Sequence, residues 1–272
     1  SGADGEDLVP GFLYVLGVAV VFGAVATVVQ HYRYEGDADS FGTSFAGLSS
    51  VREDLRQLPS PLRPLLVADT LVRFANGMVY AFFILVVTRL LELDVTVLGV
   101  YLSPPVFFGV LLGVEMVVAL VSMAPAAVLA ERVGLKPVVA TGFAVYAVFP
   151  VLYISAPGDP VVIAALFAFS GLRFAGLPSH KALIVGPAER DTGGRVTGTY
   201  YLVRNAIGIP SAAIGGYLYD SDWRLDLPLE TLGLGDATLA AGPELAFSVA
   251  SAVGLVGVAY FLVAGEEFGA YA

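Results

Sequence analysis

Seven stretches of about 20 or more predominantly apolar residues run through this chain, and nothing else in it restricts the fold so severely. Each can cross a hydrocarbon core of roughly 30 Å as a helix. No water reaches such a core, so backbone N–H and C=O groups must be satisfied within the segment. Unbroken apolar runs are then helices, because barrel strands would alternate apolar with polar residues. The runs lie at Val9 to Val29, Leu65 to Leu91, Val106 to Ala130, Pro137 to Ala156, Val161 to Gly186, Thr197 to Tyr219 and Leu245 to Ala264. The predicted fold is all-α, a polytopic membrane bundle of seven transmembrane helices. Asp4, Glu6 and Asp7 precede the first run where a signal peptide would carry positive charge, so that run is expected to stay in the mature chain.

Composition agrees, since 57% of the 272 residues are hydrophobic and only 14% charged, far from the mix of a soluble globular domain. The implied partner is a lipid bilayer. A net charge of −10 and a lysine set limited to Lys136 and Lys181 argue against nucleic acid. Cysteine is absent, which excludes disulfides, thiolate metal sites and cysteine nucleophiles. No clustered metal ligands and no phosphate-binding glycine loop occur, so no cofactor is predicted.

Arginine and lysine collect in cytoplasmic loops, while Asp and Glu carry little topological weight. The segments after the first, third and fifth runs hold Arg33, Arg52, Arg56, Arg63, Arg132, Lys136, Arg190 and Arg195, whereas the opposite loops hold Arg224, with Arg89 near a helix end. The amino terminus is therefore expected outside and the carboxyl terminus in the cytoplasm. Residues 1–29 form the first helix, 30–64 a polar cytoplasmic linker and 65–272 a six-helix bundle. Val51 to Leu58 in the linker reads either as a short amphipathic helix touching headgroups or as solvated chain. The acidic loop from Asp220 to Glu244 carries Trp223, an expected interfacial anchor.

A charge near the middle of a membrane helix costs about 2.5–3.5 kcal/mol on insertion scales, so it should face a polar cavity or a partner. Asp69, Arg73, Asn76 and Tyr80 follow one another at spacings of four, three and four, which places them on one helical face. Asp69 and Arg73 read either as a structural ion pair or as part of a site. Glu115 lies near the centre of the third run, with Ser122 on the same face and no basic residue in its own helix. It reads as a proton carrier with a raised pKa, or as a structural carboxylate paired with arginine. Arg173, three residues after Ser170, suits an anionic solute or serves as the partner of Glu115. His180 and Lys181, just after Pro178, read as interfacial. Arg204, with Tyr200 before it and Ser211 after it, is a further candidate for a cavity wall. Gly109 and Gly113 form a GxxxG pair, and Gly208, Pro210, Gly215 and Gly216 crowd the sixth run, as expected where helices touch or bend.

The segment AVLAERVGLK, Ala127 to Lys136, resembles the signature loop of the major facilitator superfamily, with Glu131, Arg132, Gly134 and Lys136 matching in type and Ala127 and Leu135 departing from it. Gly171 to Asp220 is similar to the later half of such a protein, with Lys181, Arg190 and Arg195 as the basic patch and Gly198, Gly208, Pro210, Gly215 and Gly216 in a glycine-rich helix. The resemblance implies helices six to twelve of a twelve-helix facilitator, a six-helix half preceded by one extra helix. It also implies that the partner is a missing amino-terminal six-helix half.

The expected function is secondary active transport, in the cell membrane, of a small solute (organic anion, metabolite or drug) coupled to a proton or ion gradient. Arg73, Asn76, Tyr80, Arg173 and Arg204 are the expected solute-binding residues, with Glu115 as the proton-coupling group. A non-transporting receptor or scaffold of the same fold is the alternative. An intramembrane enzyme lacks a nucleophile with a base beside it.

Overall fold

The computed structural model describes residues 8–33, 48–56, 58–97, 99–187, 193–227 and 237–267. Arg190 and linker residues 34–47 lie outside the described residues. The chain divides into two units, residues 1–43 and 44–272.

The first unit contains one helix, α1 (Leu8–Arg33), of 26 residues. At 1.5 Å per residue it is about 39 Å long, more than a bilayer core needs. Its apolar side chains lie on every face, and His31 and Arg33 close its last turn.

The second unit begins with α2 (Leu48–Arg56) and α3 (Leu62–Val79). A 3-10 turn at Tyr80–Phe82, the short α4 (Phe83–Leu85) and a π turn at Val86–Leu90 continue α3 in one 29-residue apolar rod. A hairpin of β1 (Val95–Val97) and β2 (Val100–Leu102), antiparallel with Thr96 opposite Tyr101, leads to α5 (Pro104–Val133). Then come α6 (Leu135–Ile154), α7 (Pro160–Gly171), a 3-10 turn at Leu172–Phe174, α8 (Leu177–Val185), α9 (Gly193–Gly208) and α10 (Ser211–Asp220). A second hairpin, β3 (Arg224–Leu227) with β4 (Ala237–Ala240), precedes α11 (Pro243–Ala264). The helical body is all-α, and both hairpins belong to connections.

Six helical rods among the described residues are long and apolar enough to span a bilayer. The predicted run from Thr197 to Tyr219 is not one of them: it is two helices interrupted at Ile209 and Pro210, because proline supplies no N–H and clashes with the preceding turn. Ser211 Oγ donates to the Gly208 carbonyl at 2.6 Å across this break.

Local chemistry sets the other boundaries. Pro104, Pro160 and Pro243 each occupy the first turn of a helix, where the missing N–H costs nothing. Asp159 Oδ1 accepts from the Val161 and Val162 amides at 2.8 and 3.1 Å, an N-cap for α7. Gly134 separates α5 from α6 at φ +92°, a conformation that disfavours any Cβ. The Glu267 carboxylate then accepts from the Leu135 and Lys136 amides at 2.8 and 2.9 Å, while Lys136 Nζ donates to the Leu262 carbonyl at 3.0 Å. Leu135 and Lys136 thus tie the start of α6 to the end of α11, and Gly134 leaves the room that the Glu267 carboxylate occupies.

Helix α3 packs most heavily on α11, which also covers α6. Glycines permit the close approaches: a Cβ at Gly215 of α10 would overlap the Met78 carbonyl of α3, and one at Gly171 would meet the Glu115 carbonyl of α5. The Gly109 and Gly113 pair was expected at such a contact, yet a Cβ at either position meets nothing within 4 Å. That face of α5 is bare.

Helix α2 forms where the linker reading allowed it. It docks on α9 through its own acid: Asp54 is buried, accepts from Thr199 Oγ1 at 3.2 Å and pairs with Arg195 Nε at 3.1 Å. Two apolar clusters fill the body. One contains Leu62, Phe143, Leu183 and Phe261, and the other Phe83, Tyr153, Phe167 and Phe247. Arg73, Asn76, Glu115 and Arg173 sit where one cluster gives way to the other along α3, α5 and the α7 to α8 rod.

Candidate functional site

A cavity of about 420 Å3 opens between α3, α5, α6 and the break between α7 and α8. Its polar lining is Arg73, Asn76, Tyr80, Glu115, Tyr146 and Arg173. Five of these were expected at the site from the sequence, and the spacing of four and three along α3 accounts for Arg73, Asn76 and Tyr80 sharing its wall. Arg204, the remaining solute-binding candidate, is not in this lining.

Glu115 is not alone on its helix face. Arg173 Nη2 lies 2.8 Å from Glu115 Oε1, with both side chains 3% exposed, and Ser170 Oγ donates to the same oxygen at 2.5 Å. Two helices contribute: Gly171 lets the α7 backbone approach α5 closely, which brings Ser170 and Arg173 to the carboxylate. Ser122 takes no part, because its hydroxyl turns back to the Ala119 carbonyl at 3.0 Å. The Arg173 guanidinium carbon lies 4.8 Å from the ring centres of both Tyr146 and Phe174, and 5.9 Å from Phe149. Aromatic faces attract a cation where water cannot.

Asp69 collects a second group of partners and is wholly buried. Its Oδ2 accepts from Tyr200 Oη at 3.0 Å and from Arg204 Nη1 at 3.1 Å, with His180 Nε2 3.2 Å away. Its Oδ1 lies 3.5 Å from Arg73 Nε. The i,i+4 pair with Arg73 is therefore the longest of four contacts. Arg204 also stacks on Tyr201 at 4.6 Å. His180, read from the sequence as interfacial, is buried here between Asp69 and the rings of Phe143 and Tyr200.

Tyr146 joins the two groups. Its hydroxyl accepts from Arg73 Nη1 at 3.1 Å while Arg173 lies over its ring. Sequence reasoning passed over it, although a tyrosine in the middle of an apolar helix signals a hydroxyl that needs a partner. A continuous polar path results, from Arg204 through Asp69, Arg73, Tyr146 and Arg173 to Glu115. Chemically, it can bind an anionic or dipolar group and can exchange one ion-pair partner for another without exposing a bare charge to apolar packing.

The helix breaks serve this region. Tyr80 lies in the 3-10 turn after α3, and Arg173 lies in the one after α7. Tyr153 Oη donates to the Phe83 carbonyl at 2.8 Å, satisfying backbone near the first break. The signature-like residues Glu131 and Arg132 end α5, far along the chain from the cavity walls. No group of three or more His, Cys, Asp or Glu side chains suited to a metal occurs among the described residues. Comparison with protein-family models, with curated proteins and with solved structures gives no match to this chain.

Proposed function

We infer that this chain forms the carboxyl-terminal half of a secondary active transporter of the facilitator type, carrying a small solute coupled to a proton or ion gradient. The observation that carries the reading is the 420 Å3 cavity with Arg73, Asn76, Glu115 and Arg173 in its wall, set midway along otherwise apolar helices. Ionisable groups at such depth are expensive and mark solute or ion pathways. Tyr80 and Met116, both about half exposed, leave one side of the cavity uncovered. A second helical body closes that side, because acyl chains cannot solvate guanidinium and amide groups.

On this reading α9 and α10 together make a seventh span, the amino end of α1 faces outward, the carboxyl end is cytoplasmic and the membrane is that of the cell. Arg173 and Arg73 receive the solute, and Glu115 exchanges the proton when its hold on Arg173 changes. The test is pH-gradient-driven uptake of small carboxylates into vesicles holding the full-length transporter, with Glu115→Gln and Arg173→Ala. Loss of uptake in Arg173→Ala, and loss of pH dependence in Glu115→Gln, is expected. Unchanged flux and pH dependence in both variants would reject the assignment.

A further inference from the structure

Behind the arginine wall of the large cavity lies a smaller compartment, of about 20 Å3, bounded by α3, α6 and the start of α8. Arg73, Tyr146 and Arg173 line both spaces, and His180, Gly142 and Gly176 complete the smaller one. It has room for one particle of water or halide size and none for a carboxylate-bearing solute.

The lining decides which particle fits. Two guanidiniums can only donate, and the remaining polar side chains are an imidazole and a phenol whose oxygen already accepts from Arg73. Among the described residues, no carboxylate lines the compartment. A water molecule would bring two protons needing acceptors, whereas a monatomic anion brings none. Arg173 Nε and Arg173 Nη1 are buried and make no hydrogen bond among the described residues, although the Arg173 side chain is only 3% exposed, whereas Arg73 Nε faces Asp69 Oδ1 at 3.5 Å. Buried donors of this kind normally have a partner. Charge points the same way: among the described residues, Arg73 and Arg204 share the Asp69 carboxylate and Arg173 pairs with Glu115, so three guanidiniums stand against two carboxylates.

We propose that this compartment binds a single monovalent inorganic anion of halide size, held by the Arg73 and Arg173 guanidiniums beside Tyr146 and His180. The anion neutralises the excess charge and ties α3 to α6 and α8. The site goes beyond solute transport and would exist in a chain that moves nothing.

The test uses the purified full chain in detergent at constant ionic strength, with sodium gluconate replaced stepwise by sodium chloride or bromide. The unfolding midpoint is followed by circular dichroism and anion exchange by the chloride-35 NMR line width. Chloride and bromide should raise the midpoint by roughly 4 °C per tenfold increase above the dissociation constant, and gluconate and sulfate should not. Bromide should remove the excess chloride line width. Arg173→Gln should lose both effects with helix content retained; should it fail to fold, Arg73→Lys decides, since it keeps the charge but not the fork and should bind at least tenfold more weakly. Equal midpoints in chloride and gluconate without line broadening would overturn the proposal. Halide effects that persist unchanged in the variants would overturn it too, by assigning them to the surface.

Discussion

Replacing Arg173 by Met removes the cation that Glu115 faces at 2.8 Å, with both side chains 3% exposed. At that separation and an effective dielectric constant of 20, the attraction is about 6 kcal/mol, and desolvation of two buried ions offsets most of it. The pair as a whole therefore contributes little compared with an apolar replacement, yet losing one partner strands the other. Arg173→Met should cost about 3–5 kcal/mol, including the contacts with Tyr146 and Phe174. Glu115→Gln should cost about 3 kcal/mol, because Ser170 keeps an acceptor while Arg173 loses its counter-charge. The double variant should cost no more than Arg173→Met alone, a coupling of about 3 kcal/mol. Thermal unfolding in detergent reads this directly, at about 3 °C per kcal/mol for a chain of this size. Double-variant costs equal to the sum of the singles, within about 0.5 kcal/mol, would refute the argument that the two charges act as one buried unit.

Three other outcomes follow from packing and capping. Gly215→Ala should cost about 1–3 kcal/mol of stability, because the new methyl overlaps the Met78 carbonyl, while Gly109→Ala and Gly113→Ala on the bare face of α5 should stay within about 0.5 kcal/mol of wild type. Glu267→Ala should cost about 1 kcal/mol and speed hydrogen exchange at the Leu135 and Lys136 amides. In the first hairpin, Tyr101 Oη donates to Asp94 Oδ1 at 2.8 Å, which holds the phenol above its ordinary pKa by stabilising the neutral form. Its contribution is fully present below an unfolded value of about 10 and is lost as pH rises through the folded value. Ultraviolet titration of wild type minus Tyr101→Phe should show the raised transition, and Asp94→Asn should bring it down.

The apolar runs made most of the fold legible, since residue type and length alone decide what a bilayer accepts. The break at Ile209 and Pro210 was visible only as a proline, because hydropathy does not register a lost hydrogen bond. At the site, the i,i+4 and i,i+3 spacing in α3 predicted a shared wall, and that geometry is internal to one helix. Of the partnerships between helices, the pairing of Glu115 with Arg173 was one of the readings the sequence offered, and the rest were not legible. Nothing in the sequence joined His180 to Asp69, or Tyr146 to two arginines, because those meetings depend on crossings set by glycines far away in the chain. The Gly109 and Gly113 pair meets no neighbour among the described residues for the same reason: small residues permit contact but do not supply a neighbour.

Asp69 takes nearly all its partners on a single oxygen, Oδ2, which Tyr200, Arg204 and His180 share within 3.2 Å. An oxygen with few lone-pair directions cannot serve three donors equally well, so each donor is partly redundant and the acceptor is not. Tolerance to substitution should consequently be lopsided. Any one donor can be exchanged while the others tighten, but Asp69→Asn withdraws the common counter-charge at a stroke. A saturation-mutagenesis profile of this cluster would have one intolerant position ringed by forgiving ones.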